Sequence, residues 1–140
     1  MFQVPVRDIM EQKKFLTVPP DITVREVASM MADQGTGAAL VVAGGSLVGI
    51  FTERDAVFRV IARGKDVNRT PLSEVMTAEP KTIDPTKSYG HALMLMQENG
   101  FRHVPVIEHG LLIGIVSSRN AMDPDLEEFV SEARRRERYR

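Results

Sequence analysis

At 140 residues the chain is long enough for one domain or for two small units sharing a core. It has no cysteine, which excludes disulfides, thiolate metal ligands and a thiol nucleophile. A formal net charge of −1 gives no electrostatic footprint for nucleic acid, and no apolar run approaches the ~20 residues that span a bilayer. The opening MFQVPVRDIM lacks the basic flank and long apolar segment of a secretory signal, so a cytoplasmic protein is expected.

In chain order, Leu16-Thr17-Val18 is a short extended piece. Thr23 then opens a helix, with Glu26 three residues on as a capping box. Val24, Val27, Ala28 and Met31 recur at helical spacing and predict its buried face, and Gly35 stops it. Ala38 to Val42, the turn Ala43-Gly44-Gly45-Ser46 and Leu47 to Phe51 read as a β-hairpin. A further helix starts after Thr52, with Ala56, Val57, Val60 and Ile61 expected on its buried side. Gly64 to Pro71 is polar and turn-rich, a linker. Lys81-Thr82-Ile83 is extended again, and Ser88 caps a helix carrying Tyr89, Ala92, Leu93 and Met96 that ends at Gly100. Val104 to Ile107, a turn at His109 and Gly110, and Leu111 to Val116 make a second hairpin. The helix after Ser117 is cut short by Asp123-Pro124. Met30, Met31, Met94 and Met96 are expected to pack in cores.

The two series are one series repeated 65 positions apart. Thr17 falls on Thr82 and the register runs without a gap to Ala56 and Ala121, matching Pro20 with Pro85, Gly35 with Gly100, Gly49 with Gly114 and Arg54 with Arg119. Upstream, Asp8-Ile9-Met10 matches Glu74-Val75-Met76 with one residue of slippage. Two copies of a unit of this length predict a pseudo-twofold pair, with a ligand cleft between the halves.

A signature G-h-h-[ST]-x-x-[DN] closes each hairpin, as Gly49-Ile50-Phe51-Thr52-Glu53-Arg54-Asp55 and as Gly114-Ile115-Val116-Ser117-Ser118-Arg119-Asn120. With the lead-in Val6-Arg7-Asp8-Ile9-Met10 and the segment Phe101-Arg102-His103-Val104-Pro105-Val106, the chain resembles a tandem pair of CBS motifs over about residues 4 to 122. The resemblance implies an α+β fold in which two three-stranded sheets, flanked by helices, pack about a pseudo-twofold axis. The units would be residues 4–64, a linker at 65–71, residues 72–122 and a C-terminal helix over 123–140. Such pairs, called Bateman modules, commonly bind adenosine-containing ligands in their clefts and often dimerise into a flat disc.

A carboxylate just inside a helix start, Asp55, can accept bonds from both hydroxyls of a ribose. The Thr52 hydroxyl and the free backbone N–H groups beside it suit a phosphate, and Arg54 adds a charge-assisted bond. The same Thr52–Asp55 spacing is also that of a capping box, which needs no ligand. By resemblance, adenine lies against Thr82, Ile83 and Val104 of the other half, with Thr17 and Val18 at the equivalent positions of the first. In the second half Asn120 replaces the aspartate, Ser117 and Arg119 keep the phosphate side, and Arg102 stands where the first half has Gly37. By resemblance Arg102 contacts phosphate, and otherwise it is a surface arginine on a helix-to-strand turn. Two sites of different affinity are expected, Asp55 marking the better ribose ligand.

His103 neighbours the cleft, while His91 and His109 read as a solvated helix position and a turn residue, without metal-ligand spacing. No nucleophile–base pair or Walker loop is visible, and no metal or cofactor is called for beyond an adenine nucleotide; magnesium is left open. Outside the repeat, Asp123-Pro124 starts a helix with acidic residues first and Arg134, Arg135, Arg136, Arg138 and Arg140 last, which complements the helix dipole. Its stripe of Leu126, Phe129, Val130 and Ala133 either docks on the module or meets a dimer mate or partner. The function expected is a non-enzymatic sensor of AMP, ADP, ATP or S-adenosylmethionine, homodimeric and acting on a separate effector protein, without membrane or nucleic-acid partners. The alternative is a structural dimerisation module whose clefts are empty.

Overall fold

The computed structural model describes residues 2–121, together with residues 133 and 136. In the first half, β1 (Leu16–Val18) leads to α1 (Val24–Gln34), then to the hairpin β2 (Ala38–Ala43) and β3 (Ser46–Thr52). A helix follows that is α-helical over Glu53–Asp55 (α2) and continues with π-helical bonding over Ala56–Ile61. After the 3-10 turn Leu72–Glu74 comes β4 (Thr77–Ala78). The second half repeats the order with α3 (Tyr89–Asn99), β5 (His103–Glu108), β6 (Leu111–Ser117) and a 3-10 turn at Ser118–Ala121.

Local chemistry fixes these boundaries. Thr23 and Ser88 accept the N–H of Glu26 and His91 through their side-chain oxygens, capping α1 and α3. Gly35 and Gly100 end the two helices at φ of 65° and 71°, a left-handed backbone that costs glycine little. Two residues with positive φ turn each hairpin, Gly44-Gly45 and His109-Gly110, which suits the twist of the strands.

The first sheet has the order β1-β2-β3-β4, with β1 parallel to β2 and the other pairs antiparallel. The second has only β5 and β6, flanked by single bridges from Ile83 to Val106 and from Glu11 to Ile115. Two three-stranded sheets are thus replaced by sheets of four and two strands, although the flanking segments keep equivalent places. Pro105 supplies one reason. It stands where β2 has Leu40, and without an N–H it cannot extend the parallel ladder toward Lys81.

The strands of the first half are buried on both faces. Ala39, Val41 and Phe51 join Val24, Val27, Met31 and Val60 in one core under the helices. The alternate residues Ala38, Leu40 and Ile50 form an opposite face packed by Leu112 and Ile115 of the second half, the repeat partners of Leu47 and Ile50. The second half has its own core of Ile83, Tyr89, Ala92, Met96, Val104, Val106 and Val116.

Each core is completed by the other repeat. Val6 lies fully buried in the second core, with its N–H donating to the Lys87 carbonyl at 2.8 Å. Leu72 and Val75 lie in the first, with the Leu72 N–H donating to the Ile22 carbonyl at 2.8 Å. This exchange explains the glycine of the signature. A Cβ on Gly49 would stand 2.4 Å from Met76 Sδ, and one on Gly114 would stand 2.7 Å from the Glu11 carbonyl oxygen, so the lead-in strand crosses where only hydrogen fits.

Several expected core positions are exposed. Val57 and Ile61 are 50% and 71% exposed, because i→i+5 bonding, as from the Ala62 N–H to the Val57 carbonyl, swings them off the α-helical face and leaves Val60 inside with half-buried Ala56 beside it. Ala28 is exposed beside the buried strip of Val24, Val27 and Met31, and Met94 points outward, opposite Met96. Of the expected C-terminal helix, residues 133 and 136 are helical and exposed, and the remainder of 123–140 lies outside the described residues.

Gly114→Ala meets backbone, whereas Gly49→Ala meets the end of a flexible methionine. Chemical denaturation is expected to show a loss of about 2 kcal/mol for Gly114→Ala and clearly less for Gly49→Ala. Val6→Ala should cost a comparable ~2 kcal/mol. Hydrogen exchange should trace that loss to residues 83–116 rather than to the half that follows Val6 in sequence.

Candidate ligand-binding site

The strand-to-helix elbows that end β3 and β6 are built alike. The Thr52 N–H donates to Asp55 Oδ2 at 3.0 Å, and the Asp55 N–H donates to Thr52 Oγ1 at 3.3 Å, a complete capping box. The Ser117 N–H donates to Asn120 Oδ1 at 2.6 Å, and the Ser117 hydroxyl donates to the same atom at 3.3 Å. An amide oxygen therefore does for the second elbow what a carboxylate oxygen does for the first. Asp55 does more. Its Oδ1 accepts from the Thr77 hydroxyl at 3.3 Å and faces Arg59 Nε at 3.4 Å, while Arg59 also donates to the Met76 carbonyl at 2.9 Å. The carboxylate is only 6% exposed and its acceptor sites are taken, so a ribose would have to displace the half-exposed Arg59.

The two elbows line one central cavity of about 460 Å³. The first half contributes Thr52 and Arg54, and the second contributes Arg102, His103, Ser117 and Arg119. Among the described residues none of the three guanidiniums has a carboxylate partner. Arg54 is stacked over the Phe58 ring, 4.8 Å from its centroid. Three unpaired cations beside three hydroxyls, with Ser118, make a surface complementary to a phosphoryl group. His103 has its pKa pushed below the usual 6.5, chiefly by burial; the charge of Glu53 opposes this, and Arg119 and Arg102 reinforce it.

A second cavity of about 460 Å³ shares Thr52, Arg54, Phe58, Phe101 and His103 with the first and extends to Asp55, Arg59 and Thr77. Its far wall is Ile50, Pro80, Lys81 and Glu79, the last in a left-handed backbone at φ 48°. The cleft thus has a cationic compartment and a second one that places the Asp55 and Glu79 carboxylates beside apolar Ile50 and Pro80.

Six of the expected residues, Thr52, Arg54, Arg102, His103, Ser117 and Arg119, converge on the central cavity, and Asp55 lines its neighbour. The others line neither. Val18, Ile83 and Val104 are buried in the two cores, Thr17 and Thr82 are exposed on the flanking segments, and Asn120 is occupied at its cap. Arg54 and Arg102, assigned to separate clefts by the repeat, share one cavity. Sequence reasoning missed Glu53, Phe58, Phe101, Arg59 and Thr77, which also line the cleft. Glu53 lies inside the signature and Arg59 four residues after it, and both carried a signal in their charge. Phe58 and Phe101 carried none, since aromatic residues read as core. Among the described residues no group of His, Asp and Glu could hold a metal ion, and no helix is long and apolar enough to cross a membrane.

The family model for the CBS domain matches residues 6–62 and 72–124. The chain belongs to the CBS-domain family. A Bacillus subtilis relative, the CBS domain-containing protein YhcV, is 38% identical over 112 residues, 80% of this chain and 79% of its own. The crystal structure of an uncharacterized conserved protein from Pyrococcus horikoshii superposes with a TM-score of 0.82 at 28% identity, covering 89% of this chain and 94% of the other. The CBS domain protein PAE2072 from Pyrobaculum aerophilum, whose structure is a complex with AMP, superposes with a TM-score of 0.78 at 25% identity, covering 91% of this chain and 99% of the other.

Asp55→Ala should cost about 1 kcal/mol of stability without any ligand, while Asp55→Asn keeps the cap, as Asn120 does in the second elbow. Thermal denaturation of both variants checks this. Because the folded pKa of His103 is depressed, its contribution to stability is complete above pH 6.5 and is lost as pH falls through that value toward the folded pKa. His103→Gln is expected to lose less stability than the parent between pH 7.5 and 5.5.

Proposed function

We propose that this protein is a regulatory module that binds an adenosine-containing ligand between its two CBS domains and signals to a separate effector protein. The observation that carries the reading is the central cavity, where unpaired Arg54 from one half meets unpaired Arg102 and Arg119 from the other. A phosphoryl group there would touch both halves at once. The adjoining compartment, with the apolar Ile50 and Pro80, suits the base of the same ligand, and its ribose reaches Asp55 by displacing Arg59. The AMP complex of the Pyrobaculum aerophilum relative supports a nucleotide of this class. A ligand bridging the halves favours the arrangement it binds more tightly, and only by that difference can it shift the balance the effector reads.

A second reading, a dimerisation module with empty clefts, is favoured by one observation: Val57, Phe58 and Ile61 are exposed together on the helix after β3. A homodimer covering that face is compatible with either reading, in a cytoplasmic setting. Thermal shift separates them. At ~100-fold over Kd, AMP, ADP, ATP or S-adenosylmethionine should add about 2.7 kcal/mol, roughly 5–10 °C in melting temperature. No shift with any of the four, with or without magnesium, on ligand-free protein would leave only the dimerisation module. Among variants, Asp55→Ala is expected to reduce the shift more than Asn120→Ala.

A further inference from the structure

Glu53 and Gly37 depart from the repeat together. Glu53 stands where the second half has Ser118, and Gly37 stands where it has Arg102. The backbone is the same at both places: the Glu53 N–H donates to the Gly37 carbonyl at 3.0 Å, and the Ser118 N–H donates to the Arg102 carbonyl at 3.1 Å. The side chains differ in a linked way. A Cβ on residue 37 would lie 2.3 Å from Glu53 Oε1 and 3.2 Å from its Cδ, so the Glu53 carboxylate fills the space from which an arginine at 37 would have to grow.

The central cavity therefore ends in Arg102 on one side of the pseudo-twofold axis and in Glu53 on the other. Among the described residues Glu53 is the only carboxylate lining it. Among the described residues its side chain takes part in no ion pair. Its charge reaches across to His103, opposing the effect of burial there. Arg54 shares the Glu53 end, but its guanidinium is stacked on Phe58. Nothing in the elbow itself requires an acid here, since Ser118 serves at the same position.

We propose that Glu53 limits the number of phosphates the cavity accepts. A single phosphoryl group is held by Arg102 and Arg119 together with Arg54 of the first half, while the further oxygens of a triphosphate run toward Glu53 and are repelled by its charge. The inference rests on the nucleotide-binding reading and narrows its ligand class to adenosine monophosphates.

Calorimetric titration of AMP, ATP, orthophosphate and tripolyphosphate, without divalent metal, tests it on the parent, on Glu53→Gln and on the double variant Glu53→Ser/Gly37→Arg. Glu53 is exposed, so Glu53→Gln is expected to keep the parent's cooperative unfolding, whereas Gly37 is buried and an arginine there needs the space that Glu53→Ser vacates, so thermal denaturation is run on the double variant first. The parent should bind AMP more tightly than ATP. Glu53→Gln should improve ATP about tenfold while changing AMP by less than about threefold, and tripolyphosphate should gain likewise over orthophosphate. The double variant should go further in the same direction. Equal shifts for AMP and ATP, or an unchanged ratio, would overturn the proposal. In a parallel titration with magnesium, a loss of ATP binding in Glu53→Gln would also overturn it, because Glu53 would then be holding a cation. If the parent binds no nucleotide but the tripolyphosphate discrimination persists, the adenosine reading falls and the role of Glu53 stands. If no phosphate binds to parent or variants, both fall.

Discussion

Val6, Leu72 and Val75 are withdrawn from water inside the core of the half that their own repeat does not build. Each fully buried apolar side chain of this size contributes about 1.5–3 kcal/mol, and here that contribution ties one half to the other. The backbone follows: the Tyr89 N–H donates to the Val4 carbonyl at 2.7 Å, and the Val24 N–H donates to the Thr70 carbonyl at 3.0 Å. Helix α3 is thereby fastened at its N-terminus to the opposite repeat, and α1 to the linker that leads into it. A second tie lies at the pseudo-twofold axis, where Ala38, Leu40 and Ile50 meet Leu112 and Ile115. A relative movement of the halves disturbs both contacts, so a ligand that shifts the facing elbows works against them.

On that frame the functional side chains need little further support. Thr52 with Asp55, and Ser117 with Asn120, hold the two strand-to-helix corners by short side-chain caps. Capping consumes the polar atoms that sequence logic would most readily give to a ligand. The groups left unpaired are the next ones along, Arg54 and Arg119, with Arg102 from the preceding corner. A site whose anchors are satisfied by the fold and whose cations are unsatisfied is preorganised for an anion, because its charges are already assembled before any ligand arrives.

Much of this was written in local patterns. The period of Val24, Val27 and Met31, the turn residues Gly44-Gly45 and His109-Gly110, and the helix stops at Gly35 and Gly100 each act over a few residues, and each element formed where its pattern lay. The signature residues Thr52, Arg54, Ser117 and Arg119 reached the cleft for the same reason. What was hidden is non-local. Nothing near Val6 says that its partners are Tyr89 and Val104, and nothing near Gly114 says that the Glu11 carbonyl passes 2.7 Å from its missing side chain. The π-helical segment was equally silent, since Val57 and Ile61 read as a buried face under α-helical spacing and end exposed. Ile83 and Val104, carried over as adenine contacts, give their side chains to the second core, which leaves only their backbone for a ligand.

The central claim is that cations from the two halves act on one anionic group. A double-mutant cycle on Arg54→Ala and Arg119→Ala, read as AMP affinity by calorimetry, tests it directly. These residues belong to different repeats and line the same cavity. The account predicts a coupling of about 0.5 kcal/mol or more between the two losses. Losses that simply add would show that the arginines serve separate sites and would contradict it.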